Sequence, residues 1–392
     1  MNKLNILSLL IFILSACNRS SVPTSQLPDS RSMNNECIPP IVDFAYPVNQ
    51  RHSKNTTQLL PLSPWQMDEP LPAVPSGARA FDTVSFARTK DGHNEVWVKR
   101  QLYFESENIK RSPGVQFLIY RPDTKEWKLI PDKLDENNAK SGLIYLANDG
   151  TIWANLSFVG LNYFAVYNEK KEGFEYVEES KTMPTGNLLL DDDEKFWIFE
   201  NKGGIYSFDT VSRKIEQHVS MPDLETNSSL YGSMISLAPD GSIYFLTITN
   251  EQQSKLAHFF PKTNKLEFVP NFDHYLGDTS YNLFVDRSGR LWLGDLGWME
   301  TNGTWYRAVR SPVFITDRAE SSENYIWSNP SIILESSNGL LWFQSDNGLT
   351  WLNPQKGEWC WFTTAQSNIV EDKQHNLWMI ADEKLYKYSL KQ

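Results

Sequence analysis

The stretch LFVDRSGRLWLGD, residues 283–295, decides the reading of this sequence. Apolar residues run into a polar turn, Asp286-Arg287-Ser288-Gly289, and leave it through Leu291-Trp292-Leu293. That pattern is a strand, a tight turn and a second strand. A lone hairpin cannot cover both of its faces, so this one needs a partner.

The partners are near-copies of the same hairpin. LIYLANDGTIW ends at Trp153, NLLLDDDEKFW at Trp197, MISLAPDGSIY at Tyr244 and NLFVDRSGRLW at Trp292. IILESSNGLLW ends at Trp342 and NIVEDKQHNLW at Trp378, and a weaker first copy, VSFARTKDGHNEVW, ends at Trp97. The anchors are 56, 44, 47, 48, 50 and 36 residues apart, a period that suits a four-stranded propeller blade. After each anchor come a third short strand (GGIYSFD, KLAHFFP, NGLTWLNP, EKLYKYS), a polar turn, and a fourth strand rich in aromatics (EWKLI, FEYV, LEFVP, TWYRAV, EWCWFT).

A twisted four-stranded sheet leaves two apolar faces open, and radial stacking buries face against face while leaving only short edges. The expected fold is therefore all-β, a seven-bladed propeller of four-stranded antiparallel blades. The nearly all-apolar first strand should lie innermost and covered on both faces, and the fourth should form the outer edge. Trp97, Trp153, Trp197, Trp292, Trp342 and Trp378 read as packing residues between sheets. Asp149-Gly150 and Asp240-Gly241 read as turn residues, and Asp191-Asp192-Asp193-Glu194 as a solvated turn without the alternating ligands of a calcium loop. The last copy stops after its third strand. The segment TQLLPLSPWQM, residues 57–67, is expected to complete the seventh blade, so that an N-terminal strand closes the ring.

These repeats resemble the two-component regulator propeller family, whose blades carry D-x-x-G-x-[LI]-W, a small or polar pair, and then G-[LI] with an aromatic. The best matches are Asp286 to Trp292, Glu335 to Trp342 continuing through Asn347-Gly348-Leu349, and Glu371 to Trp378. The resemblance fades outward over about residues 80–388. It implies a propeller and, in that family, often the periplasmic sensing half of a hybrid sensor kinase. No membrane-crossing helix follows the repeats here and there is no room for a kinase or DNA-binding domain, so signalling by this chain itself is not expected. The Gly-His and Trp-Asp pairs of WD40 repeats and the recurrent Gly-Gly of kelch repeats are missing. Streptogramin-lyase-like repeats share Pro239-Asp240-Gly241, but no matching His-based motif is found.

The chain opens MNKLNILSLLIFILSAC. Lys3, an apolar run from Leu4 to Leu14, and Leu14-Ser15-Ala16-Cys17 together look like a bacterial lipoprotein signal, residues 1–16. That resemblance makes Cys17 the lipidated first residue of the mature chain, with the membrane as a partner through its acyl chains. Asn18, where an Asp would signal retention, resembles sorting to an outer membrane in a host that has two. The expected location is the bacterial cell envelope, outside the cytoplasm. Residues 17–56, rich in Ser, Pro and Asn, read as a flexible tether, and 57–392 as the propeller. Outside the cytosol Cys37 and Cys360 are candidates for a disulfide.

The chain has 37 Lys and Arg against 48 Asp and Glu, a net charge of −11, which argues against a nucleic-acid partner. None of the six His stands in a metal-ligand or catalytic motif, and there is no nucleophile elbow or phosphate loop. No cofactor, metal site or catalytic residue is expected. In a propeller, the loops into the first strands and between the second and third share one face. There the sequence places TGN, YGS, SYN, NPS and QSN, small polar stretches with aromatics nearby. Asn187, Tyr231, Tyr281, Asn282, Trp327 and Asn368 are the candidate ligand contacts. Trp298, in the longer stretch GDLGWMETNG, is expected to be exposed beside them. Amides and rings together suit a glycan or a peptide. The sequence thus points to a lipid-anchored binding or interaction module. The alternatives are an extracellular lyase or hydrolase with a site at the channel mouth, or an envelope-assembly scaffold.

Overall fold

In the computed structural model the described residues are 35–38, 45–47 and 60–61, then 65–390. Left out of that span are 77, 105–113, 131–140, 159–160, 201–203, 221–223, 226–234, 250–253, 271, 273–281, 295–296, 309–330, 346–347, 363–367 and 382. The signal and lipidation positions, including Cys17, lie outside them. The described residues form seven antiparallel sheets, each built from one repeat. Blade 1 consists of Ala78–Lys90, His93–Phe104, Gly114–Arg121 and Glu126–Ile130, and blade 5, with the hairpin quoted above, of Leu283–Val285, Leu291–Leu293, Gly297–Met299 and Trp305–Ala308. First strands of successive blades touch at blades 1 and 2, 3 and 4, 4 and 5, 5 and 6, and 6 and 7, and Ile369–Glu371 of blade 7 touches Ala78–Lys90 of blade 1. Blades 2 and 3 join through a shared core of Trp153, Phe164, Phe196 and Phe208, so the ring is closed.

The anchors occupy one register position. Each lies on a second strand, opposite Phe86, Tyr145, Leu189, Ser236, Phe284, Leu334 and Val370 of the neighbouring first strands. The six Trp are at most 4% exposed. They fill the gaps between sheets: Trp97 meets Tyr167 of blade 2 edge-on at 5.1 Å, and Trp378 meets Tyr120 of blade 1 at 6.1 Å. Burial is deepest on the second strand, not the first. Every residue of Asn376–Ala381 is buried, whereas all of Gly186–Leu190 is only partly so. A second strand has a sheet neighbour on both edges and a blade on both faces, while the first strand gives one edge to the opening of the ring.

Blade 7 is completed by Gln66–Pro70, which pairs with Lys384–Ser389 as its outermost strand. The closing strand begins near the end of the segment expected to supply it, and Trp65 just before it packs edge-on against Trp342 at 6.0 Å. The segment expected to be a flexible tether does more. Asn35–Ile38 adds to the outer edge of blade 6, Leu60–Pro61 adds to Asn35–Ile38, and Ala45–Pro47 adds to the outer edge of blade 5. An outer strand carries unpaired backbone groups, and a passing extended segment can satisfy them whatever its side chains. In this register Cys37 stands opposite Cys360, which is fully buried and disulfide-bonded.

Candidate functional site

Antiparallel blades have two ends. Turns joining first to second strands, and third to fourth, emerge at what we call the lower face. Loops leading into first strands and joining second to third emerge at the upper face.

The lower face is tied together by polar contacts from blade to blade. The Asp six residues before an anchor takes several donors at once. Asp286 accepts the backbone N–H of Ser288 and Arg290, both at 3.0 Å, and the Trp292 indole at 2.8 Å. Asp372 does the same for Gln374, Asn376 and Trp378, and Asp191 for Lys195 and Trp197. Carboxylates then reach across blades. Glu194 accepts the N–H of Asp149, Glu335 that of Arg287, and Glu371 that of Ser337. The acidic turn 191–194 is thus a structural joint, not merely a solvated turn. Arg88 donates to Glu95 within blade 1 at 2.9 Å and to the carbonyl of Gly150 in blade 2 at 3.2 Å. Burial works to raise the pKa of Glu95, but the charge of Arg88 and hydrogen bonds from Arg88, Trp97 and Arg121 outweigh it and hold the group below the ordinary carboxylate range.

The described histidines serve similar local bonds. His218 bridges Ser207 and Asn264 of the next blade, both at 2.8 Å, and His375 meets Glu371 at 2.9 Å. In blade 4, His258 contacts the Ser242 hydroxyl at 2.7 Å, and that hydroxyl donates to Asp240 at 2.6 Å. Burial lowers the pKa of His258, with Asp240 and Glu267 opposing, so its ring favours the neutral form. Serine here donates to a carboxylate rather than to the imidazole, so the trio lacks the order of a hydrolytic triad, in which histidine takes the serine proton. No cluster of three or more metal-ligating side chains occurs among the described residues.

On the upper face, Asn187, Asn282 and Asn368 share one position: each lies two residues before the first-strand residue opposite the anchor, in blades 3, 5 and 7. Their surroundings differ. Asn368 is exposed, Asn187 is half-buried, and Asn282 is buried with its side-chain amide donating to the Ile332 carbonyl of blade 6 at 3.3 Å. Leu143 holds the same position in blade 2 and is 52% exposed, so this position carries both amide and apolar groups. Tyr231, Tyr281 and Trp327 lie outside the described residues.

Trp298 is corrected. It is not exposed on a long loop but 5% exposed inside the strand Gly297–Met299. It stands opposite Trp292 with ring centroids 4.7 Å apart, stacks on Tyr306 at 5.6 Å and donates to Glu300 at 2.7 Å. The signal was present in the sequence: Gly297-Trp298 follows its hairpin as Gly348-Leu349 follows the next one.

No protein-family model and no curated protein matches the chain. Solved structures do. A streptogramin B lyase structure is similar over 82% of this chain and 97% of its own length, at 17% identity and a TM-score of 0.51. The extracellular domain of the one component system BT4673 from B. thetaiotaomicron is similar over 83% of this chain, at 18% identity and a TM-score of 0.53; the match spans 40% of that domain. PorZ, a bacterial surface component of the type-IX secretion system of Porphyromonas gingivalis, is similar over 85% of this chain and 48% of its own, at 13% identity and a TM-score of 0.50. At such identities the likeness is one of fold, and it agrees with the geometry: this chain is a seven-bladed β-propeller.

Proposed function

We propose that the protein is a lipid-anchored binding or interaction module of the bacterial envelope, related to the two-component regulator propellers, which takes a glycan or a peptide at its upper face. The observation that carries this reading is the one register position that Asn187, Asn368 and Leu143 share on the upper rim, half-buried or exposed. Polar and apolar groups together on one rim suit recognition of an oligomer better than they suit bond cleavage. A Cys37–Cys360 bridge would fasten the chain between anchor and ring to blade 6.

Two experiments test this. A glycan and peptide array probed with the full chain in detergent should give a ligand class whose binding weakens in Asn368→Ala; an array without hits, together with turnover on a polymer panel, would replace the module with an enzyme. Metabolic labelling with palmitate should mark the wild type and not Cys17→Ser. Labelling of both, or of neither, removes the anchor from the proposal.

A further inference from the structure

Among the described residues, the first hairpin of blade 1 has the longest strands. Its strands have 13 and 12 residues, and the first begins eight residues before Phe86, the residue opposite the anchor. Among the described residues of the other blades this lead is four or fewer. At about 3.3 Å per residue, the paired hairpin extends roughly 25 Å from the anchor position toward the upper face.

The two faces of this projection are unlike. One carries Val84, Val98 and the ion pair Arg100–Asp82, whose Nε–Oδ1 distance is 2.8 Å and whose side chains are 2% and 7% exposed. That face continues below into the core shared with blade 7. The other face, which continues below through Phe117 and Trp97 into the core shared with blade 2, carries Phe81 and Tyr103, each 45% exposed, and Lys99 between them and the core. Register places Lys99 opposite Thr83, with Phe81 one pleat above on the adjacent strand and Tyr103 two pleats above on its own. Lys99 is half-buried against Phe117, and no carboxylate among the described residues pairs with it. Its burial disfavours the charged form, a cost that a bound anion would offset.

We infer that this wall is a saccharide-binding site for carboxylated sugars: Phe81 and Tyr103 stack on sugar rings, and Lys99 takes the carboxylate. Two exposed rings on one sheet face offer apolar platforms one pleat apart, and beneath them a cation with no carboxylate partner among the described residues selects an acidic ligand on a protein whose net charge otherwise repels it. The inference rests on the module reading above and names its ligand class.

The test uses the full chain in detergent and calorimetry with oligogalacturonate and oligomannuronate, each alongside its neutral methyl ester. The acidic oligomers should bind, and more weakly as salt is raised. Lys99→Met should weaken them about tenfold or more and leave the neutral esters unchanged, while Lys99→Arg stays within about threefold. Phe81→Ala and Tyr103→Ala should each weaken acid and ester alike, by about fivefold, with unchanged melting temperature. If the acidic oligomers bind and all four variants bind equally well, the wall is overturned and the module reading survives. If neither oligomer binds, the wall is overturned, and the module reading then stands or falls on the array. Binding of poly-glutamate with the same dependence on Lys99, and of no saccharide, would overturn the saccharide assignment.

Discussion

Blades 5 and 4 solve the same problem with different chemistry. Both must hold a turn between first and second strands and seat a large aromatic six residues after the first strand's exit. Blade 5 uses Asp286, 1% exposed, which gathers two backbone N–H groups, the Arg290 guanidinium and the Trp292 indole. Blade 4 has Ala238 at that place, and its carboxylate comes two residues later. Asp240 is exposed and holds only the backbone and hydroxyl of Ser242, while Tyr244 stacks on His258 at 3.8 Å in place of an indole bond. Burial, with the Asp240 charge adding, pushes the Tyr244 phenol up to about 12, so its ring stays neutral across the working range. The contrast teaches that the repeat conserves a position and a volume but not a hydrogen bond. The carboxylate is central where it is buried and nearly incidental where it is not.

The comparison can be broken most sharply at the anchors. Trp292→Ala, at a site with no exposure, should cost about 3–5 kcal/mol, read as a fall in the denaturant midpoint. A loss under about 1 kcal/mol would mean that the blades do not depend on the anchor. The carboxylates come next. Asp286→Ala and Asp372→Ala each strand an indole and two backbone donors out of water, at about 1–3 kcal/mol per group left unsatisfied, so about 3 kcal/mol is expected in each. Asp240→Ala should cost about 1 kcal/mol or less, because water can replace it; equal losses at the three sites would erase the distinction.

A smaller effect should appear with pH in blade 1, where Glu95 plays the acceptor for the Trp97 indole at 3.3 Å. Its folded pKa is depressed, so its contribution to stability is complete above the ordinary carboxylate range and is lost as pH falls through the depressed value. Urea midpoints measured from pH 7 down to pH 3 should therefore decline at the acid end. In Arg88→Met, where burial acts on Glu95 with its main partner gone, the acid-end decline should shrink or reverse. Superimposable profiles for the two proteins would show that Arg88 does not set the titration.

Much of this architecture can be read from residues alone, because the repeat imposes it many times over. Seven aromatics at blade-length spacing require seven equivalent sheets, and a final copy short of one strand requires a strand from the other end. Single features without repetition are harder. Trp298 looks like a loop residue because two glycines flank it, yet its partner across the strand pair is the anchor itself. The added edge strands at Asn35–Ile38 and Ala45–Pro47 are held by backbone pairing, which leaves no apolar pattern to find. The projecting hairpin hides because FDTVSF and VKRQLYF carry charges where a buried strand would not, and the Arg100–Asp82 pair that justifies those charges is visible only in three dimensions. At the rim, the three Asn could be aligned by counting from the anchor, but which of them faces water depends on the neighbouring blade, as Asn282 and its bond to Ile332 show.

The closing strand of blade 7 also governs the order of events at birth. Gln66–Pro70 leaves the ribosome before any blade exists, and its partner Lys384–Ser389 leaves only after the strands of six blades. Six blades can assemble while it waits, and the final pairing joins segments far apart in sequence, a slow kind of contact to form. Until it forms, blade 7 carries an unprotected edge. The newborn protein is therefore most prone to pairing with other chains in the interval between the making of blade 7 and its closure.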